Sequence, residues 1–242
     1  MAQQRLDKII ASTGRYSRRE VKTLVREGRV LVDGRIAASA EDKCDPLTAR
    51  ISVNGEELFY REHTYVMLHK PAGVLSATED GRGETVLDLL APEYRKIGLF
   101  PVGRLDKDTE GLLLLTDDGA LAHDLLAPKK HVDKVYFVRT DGALDDADCK
   151  AFEQGITLGD GLECLPAKLE ILKSDAQSEA LITIREGKFH QIKRMLASRG
   201  KPVVYLKRLS MGSLTLDEGL SKGEYRLLTA GGSKNLRERG QF

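Results

Sequence analysis

The stretch from residue 103 to residue 119 reads GRLDKDTEGLLLLTDDG, with an uninterrupted apolar run between two polar segments. Leu112 to Leu115 predict a buried strand, because such a run offers no polar face to water. The turn before it carries the acids Asp106, Asp108 and Glu110 beside basic side chains. Loops held between rigid strands often carry functional sites. Residue type and spacing do not distinguish the three acids, and a polar turn with a salt bridge is the structural alternative.

Composition indicates a globular protein with room for two domains. The chain has 242 residues, of which 41% are hydrophobic and 31% charged, with a net charge of +1. Disordered chains are less hydrophobic and more lopsided in charge, and domains usually span about 50 to 250 residues. The three cysteines form neither a CxxC pair nor a plausible disulfide framework, which favours a reducing cytosol. Charges near the N-terminus and short apolar runs lead us to expect a cytoplasmic protein without an export signal or membrane span.

Charge is segregated along the chain. Residues 1–35 carry nine basic and four acidic side chains, and residues 188–208 carry seven basic side chains and no acidic one. Two separated basic segments suit a polyanion, because each neutralised phosphate releases counterions and adds affinity. A solvated face on each domain is the alternative interpretation.

The first segment predicts a small α+β module. Residues 17–27 should be helical, because Ser17 and Glu20 form a capping-box pattern and Gly28 stands where a C-terminal stop belongs. The apolar residues at helical spacing, which would face inward, are Val21, Leu24 and Val25. The basic residues left on the outside are Arg18, Arg19, Lys22 and Arg26. Short strands joined by Asx-Gly turns follow this helix.

A second, larger domain is predicted to begin near residue 62, ahead of a strand that starts at Tyr65. The further strand-like runs are Leu99–Leu105, Leu112–Thr116, Lys134–Arg139, Leu169–Leu172, Ala180–Arg185 and Val203–Leu206. The helical patterns between them are Thr85–Leu90, Ala120–Leu126, Asp145–Gln154 and Phe189–Arg199. Hairpin-like neighbours favour a mixed, mainly antiparallel sheet flanked by helices. The predicted fold class is therefore α+β, with domains at 1–60 and 63–230 and a flexible tail at 231–242.

The pattern G-R-L-D-x-x-T-x-G-L-L-L-L-T-x-D-G in residues 103–119 resembles the signature of the ribosomal small-subunit pseudouridine synthase A family. The resemblance implies an isomerase that needs no cofactor or metal and uses the carboxylate of Asp106 to convert one uridine to pseudouridine. It also implies that Arg104, Leu105 and Thr109 support the site, whereas Asp108 is a bystander.

Two later segments resemble further motifs of the same family, in the expected order along the chain. Lys134-Val135-Tyr136 is similar to an element whose tyrosine stacks on the target base, and Ile184 would support that tyrosine. Residues 186–195 read EGKFHQIKRM and resemble a motif whose cation pairs with the catalytic carboxylate. This resemblance assigns the pairing to Lys193 and places His190 beside the site.

The position of Lys193 departs from the family, because most relatives carry Arg there. A lysine cannot offer a carboxylate the two-pronged contact of a guanidinium, so Arg194 is the alternative partner of Asp106. The motif HQxKRM resembles that of the small-subunit branch of the family. The expected substrate is therefore a uridine in 16S ribosomal RNA, free or in an assembly intermediate, bound by a monomeric enzyme.

Residues 5 to about 50 resemble an S4-like RNA-binding module. The likeness rests on Arg5-Leu6-Asp7-Lys8, on Ser17-Arg18-Arg19 and on the sequence GRVLVDG at 28–34. The residues that it predicts to bind RNA are Arg5, Lys8, Ser17, Arg18, Arg19, Lys22, Arg26 and Arg29.

Three alternatives differ in substrate or in class. The first is a synthase that acts on 23S ribosomal RNA, and the second is a non-catalytic RNA-binding or ribosome-assembly protein. The third is a metal-dependent nuclease whose Mg²⁺ ligands would be Asp106, Asp108, Asp117 and Asp118.

Overall fold

The structure is a computed structural model that describes residues 3–228, so the tail predicted at 231–242 lies outside the described residues. The chain divides into two compact units. The first unit comprises the chain up to Thr64 together with Leu90–Leu99, and the second comprises Tyr65–Leu89 and the chain from Phe100 onward.

The first unit contains short helices and strands. Its elements in chain order are β1 (Gln4–Arg5), α1 (Leu6–Ala11), α2 (Arg18–Arg26), β2 (Val30–Val32), β3 (Arg35–Ile36), β4 (Lys43–Cys44), β5 (Ile51–Val53), β6 (Glu56–Leu58) and α3 (Pro92–Lys96). Within residues 3–64 the strands form a β1-β4 pair and a four-stranded antiparallel sheet in the order β3-β2-β5-β6.

The predicted helix after Ser17 is confirmed as α2. The Ser17 hydroxyl accepts a hydrogen bond from the Glu20 N–H, and the Glu20 carboxylate accepts one from the Ser17 N–H. Its apolar stripe is buried against α1 and the four-stranded sheet, as expected for an amphipathic helix. The remaining face is therefore basic and exposed.

The second unit is built on one large sheet. Its elements are β7 (Tyr65–Lys70), β8 (Phe100–Pro101), β9 (Glu110–Thr116), α4 (Gly119–Leu126), a 3-10 turn (Pro128–Lys130), β10 (Lys134–Asp141), α5 (Asp146–Gln154), β11 (Lys168–Lys173), β12 (Gln177–Ile184), α6 (Gln191–Ser198), β13 (Val203–Met211), β14 (Leu214–Thr215) and β15 (Tyr225–Leu227). Within the described residues nine strands join this sheet, whose main path runs β11-β12-β10-β13-β9-β7-β15.

The predicted sheet type is confirmed. The β13–β9 pair is parallel, and the other strand pairs described for this sheet are antiparallel. Every residue of β9 is buried, which confirms the strand expected from the Leu112–Leu115 run. A strand buried on both faces is rigid, and β9 therefore gives the loop before it a fixed end.

Two predicted elements are wrong. The expected strand Leu99–Leu105 is reduced to Phe100–Pro101, because the chain turns at Gly103, whose φ is +78°, and leaves the sheet. The expected helix Thr85–Leu90 is absent, because the backbone at residues 84–86 hydrogen-bonds with Leu75 instead. A short helix begins at Pro92, a residue favoured at the first helical position.

Two further findings concern the cysteines and membrane-spanning helices. Cys149 and Cys164 are free thiols in the second unit, as is Cys44 in the first unit. In the part of the chain that the structure describes, no helix is long and apolar enough to cross a membrane.

Candidate active site

The loop at residues 104–109 is fixed at both ends by close backbone packing. It begins after Gly103 and ends where β9 starts, with Gly111 lying against β13. Gly111 has a φ of +105°, and a Cβ there would lie 2.7 Å from the Arg208 backbone nitrogen and closer still to its carbonyl oxygen. Only glycine fits this position, so the parallel pairing of β9 and β13 depends on it.

A buried lysine holds the same loop from inside the unit. The Lys70 ammonium donates hydrogen bonds to the carbonyl oxygens of Pro71 (2.9 Å), Asp106 (3.2 Å), Lys107 (3.2 Å) and Thr109 (3.0 Å). Burial lowers the pKa of Lys70 to about 8, although nearby carboxylates oppose this shift. No role was predicted for this lysine. A Lys at the end of a mainly apolar strand was the signal, because a buried ammonium needs several acceptors.

A serine reinforces the loop. The Ser76 hydroxyl donates to the Leu105 carbonyl at 2.9 Å and accepts from the Leu105 N–H at 3.1 Å. The Thr109 N–H donates to the Asp106 carbonyl at 3.1 Å, which closes a turn around Asp106. The loop backbone is thus bonded from within and from the neighbouring segment, and the Asp106 side chain points into a cleft.

The segment that faces this loop is the start of α6. The helix was expected from Phe189 and begins at Gln191, because His190 adopts a left-handed conformation with φ +49°. The predicted apolar stripe is confirmed, since Ile192, Met195 and Leu196 are buried. This leaves Lys193 on the face turned toward Asp106.

The two segments meet in an ion-pair cluster. Lys193 Nζ lies 2.9 Å from Asp106 Oδ2 and 2.6 Å from Asp108 Oδ1, and His190 Nε2 lies 3.6 Å from Asp106 Oδ1. Partial burial opposes the charged ammonium, but its hydrogen bonds to Asp108 and Asp106 outweigh this and raise the pKa of Lys193. The hydrogen bond from Lys193 likewise lowers the pKa of Asp108.

This geometry separates two candidates that the sequence left open. Arg194 is directed to Asp160 and not to Asp106. Lys193 therefore forms the ion pair with Asp106. The expectation that Asp108 is a bystander is incomplete, because Asp108 shares the same ammonium.

An open cleft lies beside this cluster. All of the residues predicted for the catalytic site line it except Arg194. The lining residues that were not predicted are Gly187, Lys188, Gln191, Ile192 and Leu206. The Tyr136 ring forms one wall and packs in one core cluster with Leu105, Ile184 and Leu206. The arrangement places a carboxylate, a cation and an aromatic wall in one open cavity.

The cations on the cleft side are partly unpaired. The Arg104 side chain is exposed and, within residues 3–228, forms no hydrogen bond or ion pair. Lys188 donates to the Glu163 carbonyl and lies 3.1 Å from Glu186 Oε2. The cleft therefore offers positive charge to an anionic ligand that enters it.

The predicted RNA-binding residues of the first unit lie mostly on its surface. A shallow depression is lined by Arg5, Asp7, Arg18, Arg19 and Lys22. Lys8, Arg26 and Arg29 are exposed, and Arg5 is partly occupied by its contacts with Asp7. The Ser17 hydroxyl caps α2, so its first role is structural.

The acids proposed as magnesium ligands do not gather. Asp118 caps α4 and accepts a hydrogen bond from the Tyr65 hydroxyl at 2.7 Å, whereas Asp106 and Asp108 share Lys193. Among residues 3–228 no group of three or more His, Cys, Asp or Glu side chains is arranged to hold a metal ion.

Two sequence profiles of known families match parts of the chain. A sequence profile of the RNA pseudouridylate synthase family matches residues 64–198, and an S4 domain profile matches residues 4–46. The chain is 51% identical over 226 residues to an RNA pseudouridine synthase of Bacillus subtilis (strain 168) named YtzG, covering 93% of this chain and 95% of that one.

Relatives named for both ribosomal subunits are also similar. The ribosomal small subunit pseudouridine synthase A of Vibrio cholerae is 40% identical, with 93% of this chain and 96% of that one covered. The ribosomal large subunit pseudouridine synthase B of Bacillus subtilis is 38% identical, with 97% and 96% covered.

A solved structure matches along its whole length. The crystal structure of a pseudouridylate synthase aligns with a TM-score of 0.67 and 36% identity, covering 96% of this chain and 99% of that one. From the fold, the sequence profiles and these relatives together, the chain belongs to the RNA pseudouridylate synthase family, enzymes that isomerise uridine in RNA, and it carries an S4 domain ahead of the synthase fold.

Proposed function

We propose that this enzyme converts a specific uridine of 16S ribosomal RNA to pseudouridine, with Asp106 as its catalytic carboxylate. The observation that carries the proposal is the Asp106–Lys193 ion pair, 2.9 Å long, on a cleft walled by Tyr136. Asp106 is the acid of the loop that lines the cleft, whereas Asp108 does not line it. The similarity to the small-subunit synthase of Vibrio cholerae and the HQxKRM motif support the choice of 16S RNA.

The chemistry that we propose needs few groups. A uridine buried in folded RNA must leave its stack to expose C1′, and a flipped base then stacks on the Tyr136 ring. The N1–C1′ bond breaks, the uracil turns, a C5–C1′ bond forms, the C5 proton leaves and N1 takes up a proton. No electrons or atoms enter from outside, so the balance requires no cofactor.

Asp106 acts on the sugar carbon in this scheme. A carboxylate stabilises positive charge at an anomeric carbon or bonds to it, as retaining glycosidases do. Lys193 holds the carboxylate toward the cleft and offsets its charge, while His190 lies at its other oxygen. Leu105, Thr109 and Ile184 shape the loop and the aromatic wall, and Arg104 binds substrate phosphate.

The two domains have separate roles in this proposal. Residues 1–60 form the RNA-binding domain, through the basic surface around α2, and residues 63–230 form the catalytic domain. Exposed cations bind phosphate without reading sequence, so the first domain adds affinity and the cleft adds specificity. We also propose that the enzyme is a cytoplasmic monomer.

The second candidate substrate is 23S ribosomal RNA. The similarity to the large subunit synthase B of Bacillus subtilis favours it. Mapping pseudouridines in both ribosomal RNAs from a strain that lacks the gene distinguishes the two. Loss of one modification in 16S RNA supports the first proposal, and loss in 23S RNA replaces it with the second.

The role of Asp106 is tested with Asp106→Asn, using Asp108→Asn as the matched control. Both acids lie in the same loop and contact the same ammonium. RNA labelled with tritium at uridine C5 releases the label as pseudouridine forms. Asp106→Asn should bind RNA but release no tritium, whereas Asp108→Asn should still turn over. Release by the Asp106→Asn enzyme contradicts the assignment.

A further inference from the structure

A large aromatic side chain stands exposed beside the cleft. Phe189 is 74% exposed although it belongs to a loop of the sheet unit. It does not line the cleft, but its ring stacks on that of His190, which does. The two ring centroids lie 3.8 Å apart and the ring planes differ by 19°. His190, whose Nε2 lies 3.6 Å from Asp106 Oδ1, therefore contacts both the exposed ring and the carboxylate.

The loop that carries this ring is held by hydrogen bonds. Glu186 Oε1 accepts from the Leu165 N–H at 2.8 Å and from Gln191 Nε2 at 2.7 Å. Gln191 Oε1 accepts in turn from the Lys188 N–H at 3.0 Å. The residues on either side of Phe189 are thus held before any ligand binds, so less conformational entropy of the loop is lost when one does.

The chemistry around the ring favours a nucleic acid base as its ligand. One face of Phe189 lies on His190, and the rest of the ring is exposed. Lys188, the residue before Phe189, lines the cleft. Arg104 also lines it and is an unpaired cation among the described residues. Single-stranded RNA is bound by such a combination, in which bases stack on aromatic rings and cations hold the backbone.

We propose that the exposed face of Phe189 is a stacking platform for an unpaired base next to the uridine in the cleft. The inference deepens the proposed function and rests on it. It assigns the substrate an accessible neighbouring base, so the target uridine lies in a loop, bulge or opened segment and not in a continuous duplex. Since every base has a π face, the platform selects RNA shape and not base identity.

The test compares steady-state kinetics of the full-length enzyme on a 16S ribosomal RNA transcript labelled with tritium at uridine C5. Phe189→Ala should raise KM about 5- to 150-fold, the range of one base–aromatic stack. The kcat should stay within about threefold, because the stack is the same in the ground and transition states. Phe189→Trp should restore KM, since it keeps a flat aromatic face.

Leu172→Ala is the matched control, because Leu172 is 52% exposed in the same unit but lies on the edge strand β11. It should leave KM unchanged. The inference is overturned if Phe189→Ala has the wild-type KM, if Leu172→Ala raises KM equally, or if Phe189→Trp has the raised KM of Phe189→Ala. Binding of the same transcript is measured in parallel. If the wild-type enzyme releases no tritium, the proposed function fails, and weaker RNA binding by Phe189→Ala alone would still support the platform.

Discussion

Replacing Lys70 with methionine tests how the loop of Asp106 is held. The change removes the ammonium that bridges four backbone carbonyls and keeps an apolar side chain of similar length. The Asp106 and Lys107 carbonyls retain other donors, namely the N–H groups of Thr109 and Gly73. The carbonyls of Pro71 and Thr109 lose the side-chain donor, at a cost of about 1–3 kcal/mol each.

A second effect has the opposite sign. The pKa of Lys70 is lowered from 10.5 to about 8 by burial, which corresponds to about 3 kcal/mol of unfavourable charge burial at neutral pH. Methionine removes that penalty. The two effects nearly cancel, so the free energy of unfolding of Lys70→Met should stay within about 3 kcal/mol of the wild-type value. Its turnover should nevertheless fall about 100-fold, because an error of about 1 Å in a catalytic group has that consequence.

The assay is tritium release at saturating RNA, with Lys107→Met as control. Lys107 belongs to the same loop, but its side chain is exposed and should be dispensable. Turnover of Lys70→Met equal to that of Lys107→Met would refute the reasoning, because the loop would then be positioned without the buried ammonium.

Stability against pH provides an independent check on Lys70. Because its folded-state pKa is the lower one, the unfolded chain binds more protons between about pH 8 and 10.5. In that window the lysine's contribution to stability rises with pH, by about 1.4 kcal/mol per pH unit. Denaturant titrations should therefore show wild type gaining about 2 kcal/mol relative to Lys70→Met between pH 8 and pH 9.5. A difference that is independent of pH contradicts the lowered pKa.

Two further substitutions probe the same site. Lys193→Met should lower kcat about 10- to 150-fold, the value of one hydrogen bond to a charged group. Lys193→Arg should remain active because it keeps the charge. Equal losses of kcat in both variants would mean that turnover does not depend on the charge paired with Asp106. Gly111→Ala should destabilise the enzyme by at least about 3 kcal/mol in thermal or denaturant unfolding, because its Cβ would overlap the Arg208 backbone at a φ of +105°, and wild-type stability would refute the close approach of β9 and β13.

Much of the local structure follows from the sequence. The capping box, the glycine that ends the helix and the apolar stripe of α2 lie close together in the sequence. Ser17, Glu20 and Gly28 were therefore sufficient to predict this helix. The buried strand β9 was equally clear from four consecutive leucines. These signals are local, because capping bonds and burial patterns involve residues close together in the chain.

The failed predictions involve competition that the sequence does not display. Thr85–Leu90 has a helical pattern, but backbone pairing of residues 84–86 with Leu75 takes hydrogen bonds that a helix would need. Leu99–Leu105 looks like a strand, yet Gly103 turns the chain away from the sheet. In both cases a contact with another segment outweighs a weak local preference.

The candidate site divides in the same way. The sequence by itself determined the family, and through the motif it singled out Asp106, Tyr136 and the helix that carries Lys193. Only the tertiary structure decided that Lys193 and not Arg194 meets Asp106, that Asp108 shares the ammonium, and that Lys70 binds the loop from within. The physical reason is that these contacts join residues tens of positions apart in the chain. The rotation of α6 about its axis determines which of two adjacent cations faces the carboxylate.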